Sequence, residues 1–460
     1  MFDRAIYLSK IAVLRGLIAI YLFKIQDGSF ARFDRDMINA NHEPGHLFLQ
    51  DGGFARNLME QANIWLLDHP DWAVRTCESV EFKMSSDSHH FAHFEKMTFF
   101  EEDQTVRQRY ARGFRLWIVQ RSSVDFAAGC REQELGYFNV IPKLQSAWCG
   151  KPKFQTMDSV LDDFNEVMQN SPLKGKILTI ETLRVRFSPF ERFIDPERLY
   201  YVDHGYKLFI FRIFYEKGAP IDEIIAIEDF KPEVLSETDP ALNGPQYEDF
   251  TVLTRKVQNW CTMRRSDVRV CNVQTLWAKL KQGHVDSQRM FFTEHKDHNV
   301  RTNFVKIIRI AYAHPSRESL VYPDQKPIRI CIRTFLPVQL STRGFFSPPN
   351  FELMSQTRDR IAIWILENNV RVISAETCPV RMYTGGERFE GADATYTFNT
   401  GGQNEHWIYV LRLFLDGRYP GVPPEMDRSA FRAWNQDPLV VNQPQPAPAS
   451  NETFTFCCIQ

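Results

Sequence analysis

The stretch Tyr409-Val-Leu-Arg412-Leu-Phe414 decides how this chain is read. It sets one arginine among aliphatic and aromatic neighbours, in the alternation of a β-strand. The same arrangement stands at Gly113-Phe-Arg115-Leu-Trp-Ile118, Phe209-Ile-Phe-Arg212-Ile-Phe214 and Ile307-Ile-Arg309-Ile310. Four such strands in one chain call for a search for internal repeats before any motif.

Upstream of each lies a shorter β-branched stretch. Three copies are alike, Val74-Arg75-Thr-Cys77, Val268-Arg269-Val-Cys271 and Val370-Arg371-Val-Ile373, with a weaker fourth at Gly175-Lys176-Ile-Leu178. From the first basic residue to the arginine strand the spacings are 40, 36, 40 and 41. Further upstream, four amphipathic helical patterns begin at Phe54, Phe154, Tyr247 and Phe351, which lie 100, 93 and 104 residues apart. Another strand falls between the landmarks, as in Leu183-Arg-Val-Arg-Phe187. A final strand closes each unit, clearest at 327–335 and 221–227. Each unit therefore reads as one helix packed on a curved antiparallel sheet of about four strands. The expected class is α+β, in four tandem repeats. The boundaries fall at 51–152, 153–245, 246–346 and 347–440, in turn-rich linkers such as Gly150-Lys-Pro152 and Ser347-Pro-Pro349.

Composition fits this reading. In 460 residues, 43% are hydrophobic and 24% charged, which excludes a disordered or collagen-like chain. Fifty-five Lys and Arg against 57 Asp and Glu leave no net basic field, so no specific nucleic-acid partner is expected. Nine cysteines without a C-x-x-C pair suit a reducing compartment better than a disulfide framework. Cys130 and Cys149 carry no catalytic signature and are read as structural.

The two ends stand apart. Residues 5–25 are apolar but broken by Lys10 and Arg15, too short for a transmembrane span. Ile20-Tyr-Leu-Phe-Lys24 matches the stretch around Arg412, so 1–50 is expected to be a partial repeat without its helix and with an unpaired or borrowed edge. A signal segment is the alternative. Residues 441–460 form a Pro-rich tail, expected to be disordered, ending Cys457-Cys458-Ile-Gln460. This resembles a C-a-a-X box, making Cys457 a candidate for prenylation and Cys458 for a second lipid. A membrane partner is expected only through that lipid. The Asn451-Glu-Thr453 sequon matters only if the chain is secreted. Cytoplasmic residence is the expectation, secretion the alternative.

Motifs with chemistry are few. His42-Glu-Pro-Gly-His46 matches H-E-x-x-H literally, but Pro44 and Gly45 break the helix that a zinc site needs. His89, His90 and His93 cluster, as do Glu294, His295, Asp297 and His298. Asp203-His204, Asp297-His298 and Glu405-His406 recur just before the arginine strands, and a turn-entry role explains them without metal. No phosphate-binding glycine loop or nucleophile elbow is present. No catalytic, cofactor or metal residue is assigned. Arg115, Arg212, Arg309 and Arg412 admit two readings: a solvent-facing row on one sheet face, or a concave face that takes an anionic ligand.

One helix followed by a curved antiparallel sheet, in units of ~95 residues over 54–438, resembles the cone-shaped nuclear transport factor 2-like domains and, less well, a cystatin-like unit. That resemblance implies cones acting as binding modules or as pocket enzymes. No site pattern of that family can be carried onto this chain. The expected function is thus a non-enzymatic interaction or scaffold protein with a protein partner. The alternative is a small-ligand-binding or isomerase/hydratase-like pocket in one or more cones.

Overall fold

A computed structural model describes residues 18–23, 54–84, 94–101, 109–121, 132–146, 152–187, 194–198, 200–202, 206–239, 244–264, 268–281, 283–293, 302–315, 328–341, 350–384, 392–399 and 405–419. The architecture is α+β. Among the described residues there are four helices, α1 (Phe54–Asp68), α2 (Met157–Asn170), α3 (Phe250–Arg264) and α4 (Met354–Asn368), with antiparallel strands between them. No helix among these residues is long and apolar enough to cross a membrane.

The arginine strands are the centres of four sheets: β4 (Arg109–Gln120), β10 (Tyr206–Lys217), β17 (Thr302–Pro315) and β21 (Glu405–Asp416). Along one edge each pairs with a long strand that precedes it in sequence: β2 (Trp72–Lys83), β8 (Gly175–Arg186), β14 (Arg269–Lys281) and β19 (Val372–Thr384). The other edge is shared end to end by two shorter strands, neither taken from the stretch between helix and arginine strand of the same unit.

The first kind comes from the residues that follow the previous arginine strand. Strand β5 (Leu135–Val140) follows β4 but pairs with β10; β11 (Glu223–Phe230) follows β10 but pairs with β17; β18 (Ile330–Phe335) follows β17 but pairs with β21. The strand expected to close each unit therefore opens the next sheet. Strand β1 (Ile18–Phe23) holds the corresponding place beside β4, with Leu22 opposite Arg115. It is paired as the opening strand of the first sheet, not a central strand of an extra one. The remainder of 1–50 and the tail 441–460 lie outside the described residues.

The second kind is exchanged. Strand β9 (Tyr200–Val202) lies between β8 and β10 but pairs with β4; β16 (Phe291–Thr293) pairs with β10; β20 (Tyr396–Asn399) pairs with β17. Strand β3 (Thr98–Glu101), from the first unit, pairs with β21 of the last. Each sheet thus lends a strand to its predecessor and the last link closes the circle. Exchange covers edge N–H and C=O groups that would otherwise invite aggregation.

The long strands β2, β8, β14 and β19 share one irregularity. At the matching place in each, one residue is skipped by the ladder: Arg75, Leu178, Cys271 and Ile373; β19 skips a second residue, Met382, further along. Such a bulge bends its strand and increases the twist. It also corrects the sequence landmark: Arg75 occupies the place of Cys271, two residues on from that of Arg269. A slip of two keeps every side chain on its face, which is why spacing did not reveal it.

Four apolar cores follow from the helix periodicity. In α2 the buried Met157, Val160, Leu161, Phe164 and Met168 recur at intervals of three and four. Thr156 caps its start, accepting from the Ser159 amide. Helix α4 ends on Asn369 at φ 47°, a left-handed stop that asparagine tolerates. Each helix packs on its own sheet and reaches the next one. Phe214 joins the α1 core; Ala311 and Ala313 join that of α2; Phe414 joins that of α3; Val80, Phe82 and Trp117 join that of α4. Trp364 sits in the closing core, 1% exposed and edge-on to Phe335. Trp364→Ala is expected to lower stability by about 3–5 kcal/mol, the range for emptying a buried tryptophan site. Urea unfolding followed by far-UV circular dichroism checks it; a loss under about 1 kcal/mol would mean that this core is not packed as described.

Candidate functional site

Alternation in the central strands sends one face to the helix of the same sheet. The arginines lie on the other face, two residues before Trp117, Phe214, Ala311 and Phe414. That face is covered by the neighbouring sheet. Arg115 and Arg412 are 0% exposed, Arg212 3% and Arg309 4%. The solvent-facing row is overturned, because a second layer covers what would otherwise be an outer surface.

Opposite each arginine on the long partner strand stands a carboxylate or amide: Glu78, Glu181, Gln274 and Glu376. These side chains reach across to the previous sheet and accept from its backbone. Glu181 Oε1 takes the Ser79 N–H at 2.8 Å, Gln274 Oε1 the Thr182 N–H at 2.9 Å and Glu376 Oε2 the Thr275 N–H at 2.7 Å. Glu78 Oε1 takes the Thr377 N–H and so joins the first sheet to the fourth. The arginines cross the same junctions to the hydroxyls of the same residues. Arg212 Nη1 donates to Ser79 Oγ at 3.1 Å, Arg309 Nη1 to Thr182 Oγ1 at 3.2 Å and Arg412 Nη1 to Thr275 Oγ1 at 2.9 Å, with Arg115 Nη1 bonded to Thr377 Oγ1. A residue further back adds a third tie in three junctions: Thr179 Oγ1 accepts from Cys77 N, Asn272 Nδ2 donates to Ile180 O, and Ser374 Oγ accepts from Val273 N.

Sequence reading missed these partners, although a signal is present. Thr76-Cys-Glu78-Ser79, Thr179-Ile-Glu181-Thr182, Asn272-Val-Gln274-Thr275 and Ser374-Ala-Glu376-Thr377 share one pattern: a small polar residue, a spacer, Glu or Gln, then Ser or Thr. It lies just past the landmark used for register.

Charge is balanced sheet by sheet. Arg412 meets Glu376 at 2.7 Å. Gln274 is neutral, and there Asp229 of β11 replaces the carboxylate, gripping Arg309 through both oxygens at 2.8 and 2.7 Å. Arg212 bonds to Asn139 Oδ1 at 2.9 Å and Pro196 O at 2.6 Å, with Glu181 near. Burial pushes the Glu181 carboxyl up to about 7, against the pull of Arg212 and the Ser79 bonds, and Glu78 adds to the rise. Burial likewise raises Glu78 despite Arg115. Buried pairs of this kind cost desolvation, which their mutual attraction and hydrogen bonds offset.

Other candidates fall away from this ring. Burial raises the thiol of Cys261 to about 12 and that of Cys378 to about 11, so these cysteines are poor nucleophiles. Cys130, Cys149, Cys457, Asn451, His42, His46, His89, His90, His93, His204, Glu294, His295, Asp297 and His298 lie outside the described residues. His406 lies near the start of β21. No group of three potential metal ligands occurs among the described residues. A cleft beside Arg309, lined by Lys279, Asp286, Arg289, Phe209 and Phe292, has room for about one water.

No known protein family, curated protein or solved structure matches the chain.

Proposed function

We propose that this chain is a multivalent interaction scaffold, built from four tandem copies of one nuclear transport factor 2-like unit. The observation that carries the reading is where the ring's chemistry is directed. Its arginines, carboxylates and hydroxyls are aimed at the protein's own neighbouring strands, which suits assembly of a rigid body more than turnover. Repeated element order, the shared bulge and the shared polar pattern support descent from one unit. The helices then present their outer faces at separate places, with Ile64 and Leu67 of α1, Val167 of α2, Met263 of α3 and Ile363 of α4 all more than half exposed. Several weak contacts held on one body bind with combined strength. A farnesyl group on Cys457 would set the scaffold against a cytoplasmic membrane face.

Cross-linking of the full chain in its native type of cell, followed by mass spectrometry, tests this. A partner recovered by the wild type and lost with Ile64→Glu/Leu67→Glu, at unchanged melting temperature, is the expected result. The intact mass of the same material reports on Cys457. A saturable thermal shift with a metabolite, and no cross-linked partner, would favour the pocket reading instead.

A further inference from the structure

We propose that one end of the ring binds a small anion carrying more than one phosphate group, between Arg75, Lys176, Arg269 and Arg371. The placement follows from the long strands. Strands β2, β8, β14 and β19 each lie against the long strands of both neighbouring sheets. The ties between them stay in step: Cys77 meets Thr179 and Ser79 meets Glu181, as Val273 meets Ser374 and Thr275 meets Glu376. All four strands therefore run the same way and start at one end of the ring. Lys176, Arg269 and Arg371 stand two residues before the skipped residue of their strands. In β2 that position is Ala73, and the skipped residue itself, Arg75, supplies the cation. Each sheet thus places one positive charge at this end.

The charges converge. Arg75 reaches the fourth sheet, its Nε donating to Val372 O at 3.1 Å, and Arg269 reaches the second, its Nη1 donating to Ile177 O at 2.8 Å. Crowding by protein and the charges of Arg371 and, across the ring, Arg269 hold the Arg75 guanidinium below its ordinary value, against the pull of Asp416. Countercharge covers only half of the set. Glu223 grips Arg269 at 3.0 and 2.5 Å. Asp416 Oδ2 stands 3.1 Å from Arg371 Nη2, while its other oxygen accepts from the Arg329 amide at 3.0 Å. Glu216, opposite Lys176 on β10, accepts from Gln133 Nε2 at 3.1 Å instead. Among the described residues no carboxylate lies within ion-pair distance of Arg75 or Lys176, and no protein acceptor meets the Nη1 or Nη2 of Arg75. Arg75, Lys176 and Arg371 are exposed, so a ligand has access to them. A phosphate offers acceptor oxygens on every side and meets donors that arrive from different strands, whereas a planar carboxylate answers one fork. Two cations without countercharge call for more than one negative charge.

The test is calorimetric titration of the full chain with sodium tripolyphosphate at fixed pH and ionic strength, which is expected to show saturable one-to-one binding. Lys176→Gln, at an exposed side chain that makes no ion pair, weakens binding about tenfold, the worth of one charge-assisted contact. Arg75→Gln does the same, and the double variant binds weaker than either. Lys143→Gln, which breaks an exposed pair with Asp163 of α2, leaves binding unchanged. Sedimentation with phosphatidylcholine vesicles that carry a bisphosphorylated inositol lipid, reversed by tripolyphosphate, would assign the phosphates to a lipid headgroup; its absence assigns them to a soluble molecule. No saturable binding, undiminished binding by the double variant, or citrate binding as tight as that of tripolyphosphate would each overturn the proposal. The site is separate from the exposed helix faces, so such a failure leaves the scaffold reading untouched.

Discussion

Arg412→Met is expected to cost the fold about 3–5 kcal/mol, because it strands a buried carboxylate. Glu376 is 7% exposed, and the guanidinium at 2.7 Å is its countercharge. The same head bonds to Thr275 Oγ1 at 2.9 Å and Thr334 Oγ1 at 3.1 Å, and lies 4.3 Å from the Phe250 ring centre. One substitution thus loosens three elements of two sheets. Methionine keeps much of the volume, so the loss reports on charge more than on a cavity. Urea unfolding of the single variants and of the double variant with Glu376→Gln makes the check. The double variant is expected to recover a large part of the loss. If Glu376→Gln deepens the defect additively, the pair is not the unit described here.

Glu181→Gln has the opposite sign. A carboxyl held at about 7 in the folded chain, against 4.5 when free, binds its proton more tightly folded than unfolded. Below about pH 4.5 both states are protonated and the group is neutral towards folding. As pH rises from 4.5 to 7 the unfolded chain ionises first and stability falls. Above 7 the penalty is constant, at most about 3 kcal/mol. The amide removes that penalty and keeps the acceptor for Ser79. Gln274 already works this way, accepting from Thr182 N and donating back to Thr182 O at 3.0 Å. The variant should therefore match wild type near pH 4.5 and exceed it by up to about 3 kcal/mol at pH 8. A variant less stable at pH 8 would mean that Arg212 keeps Glu181 ionised and that the pair is net stabilising.

Much of the architecture was legible because it is local. The helical patterns near 54–68 and 354–368 follow from the 3.6-residue period, and the arginine strands from their alternation. The α+β class follows from those two periods together. What lay beyond reading was pairing. Nothing in Leu135–Val140 distinguishes β4, which it follows, from β10, which it joins, because ladder bonds are made by backbone atoms that every residue carries. Nor could spacing detect a two-residue slip at Arg75.

The candidate site was half legible for the same reason. The four arginines were visible as odd members of apolar strands, whereas Glu78, Glu181, Gln274 and Glu376 looked like ordinary polar residues on a strand. The amino-acid sequence by itself determined which residues share a strand face with each arginine. Only the tertiary structure decided what covers that face. Strand alternation is a property of one chain segment, but burial depends on which other segment lies 10 Å across the layer. Here that segment is the previous sheet of the ring, and it turns four apparently exposed arginines into the ties between neighbours.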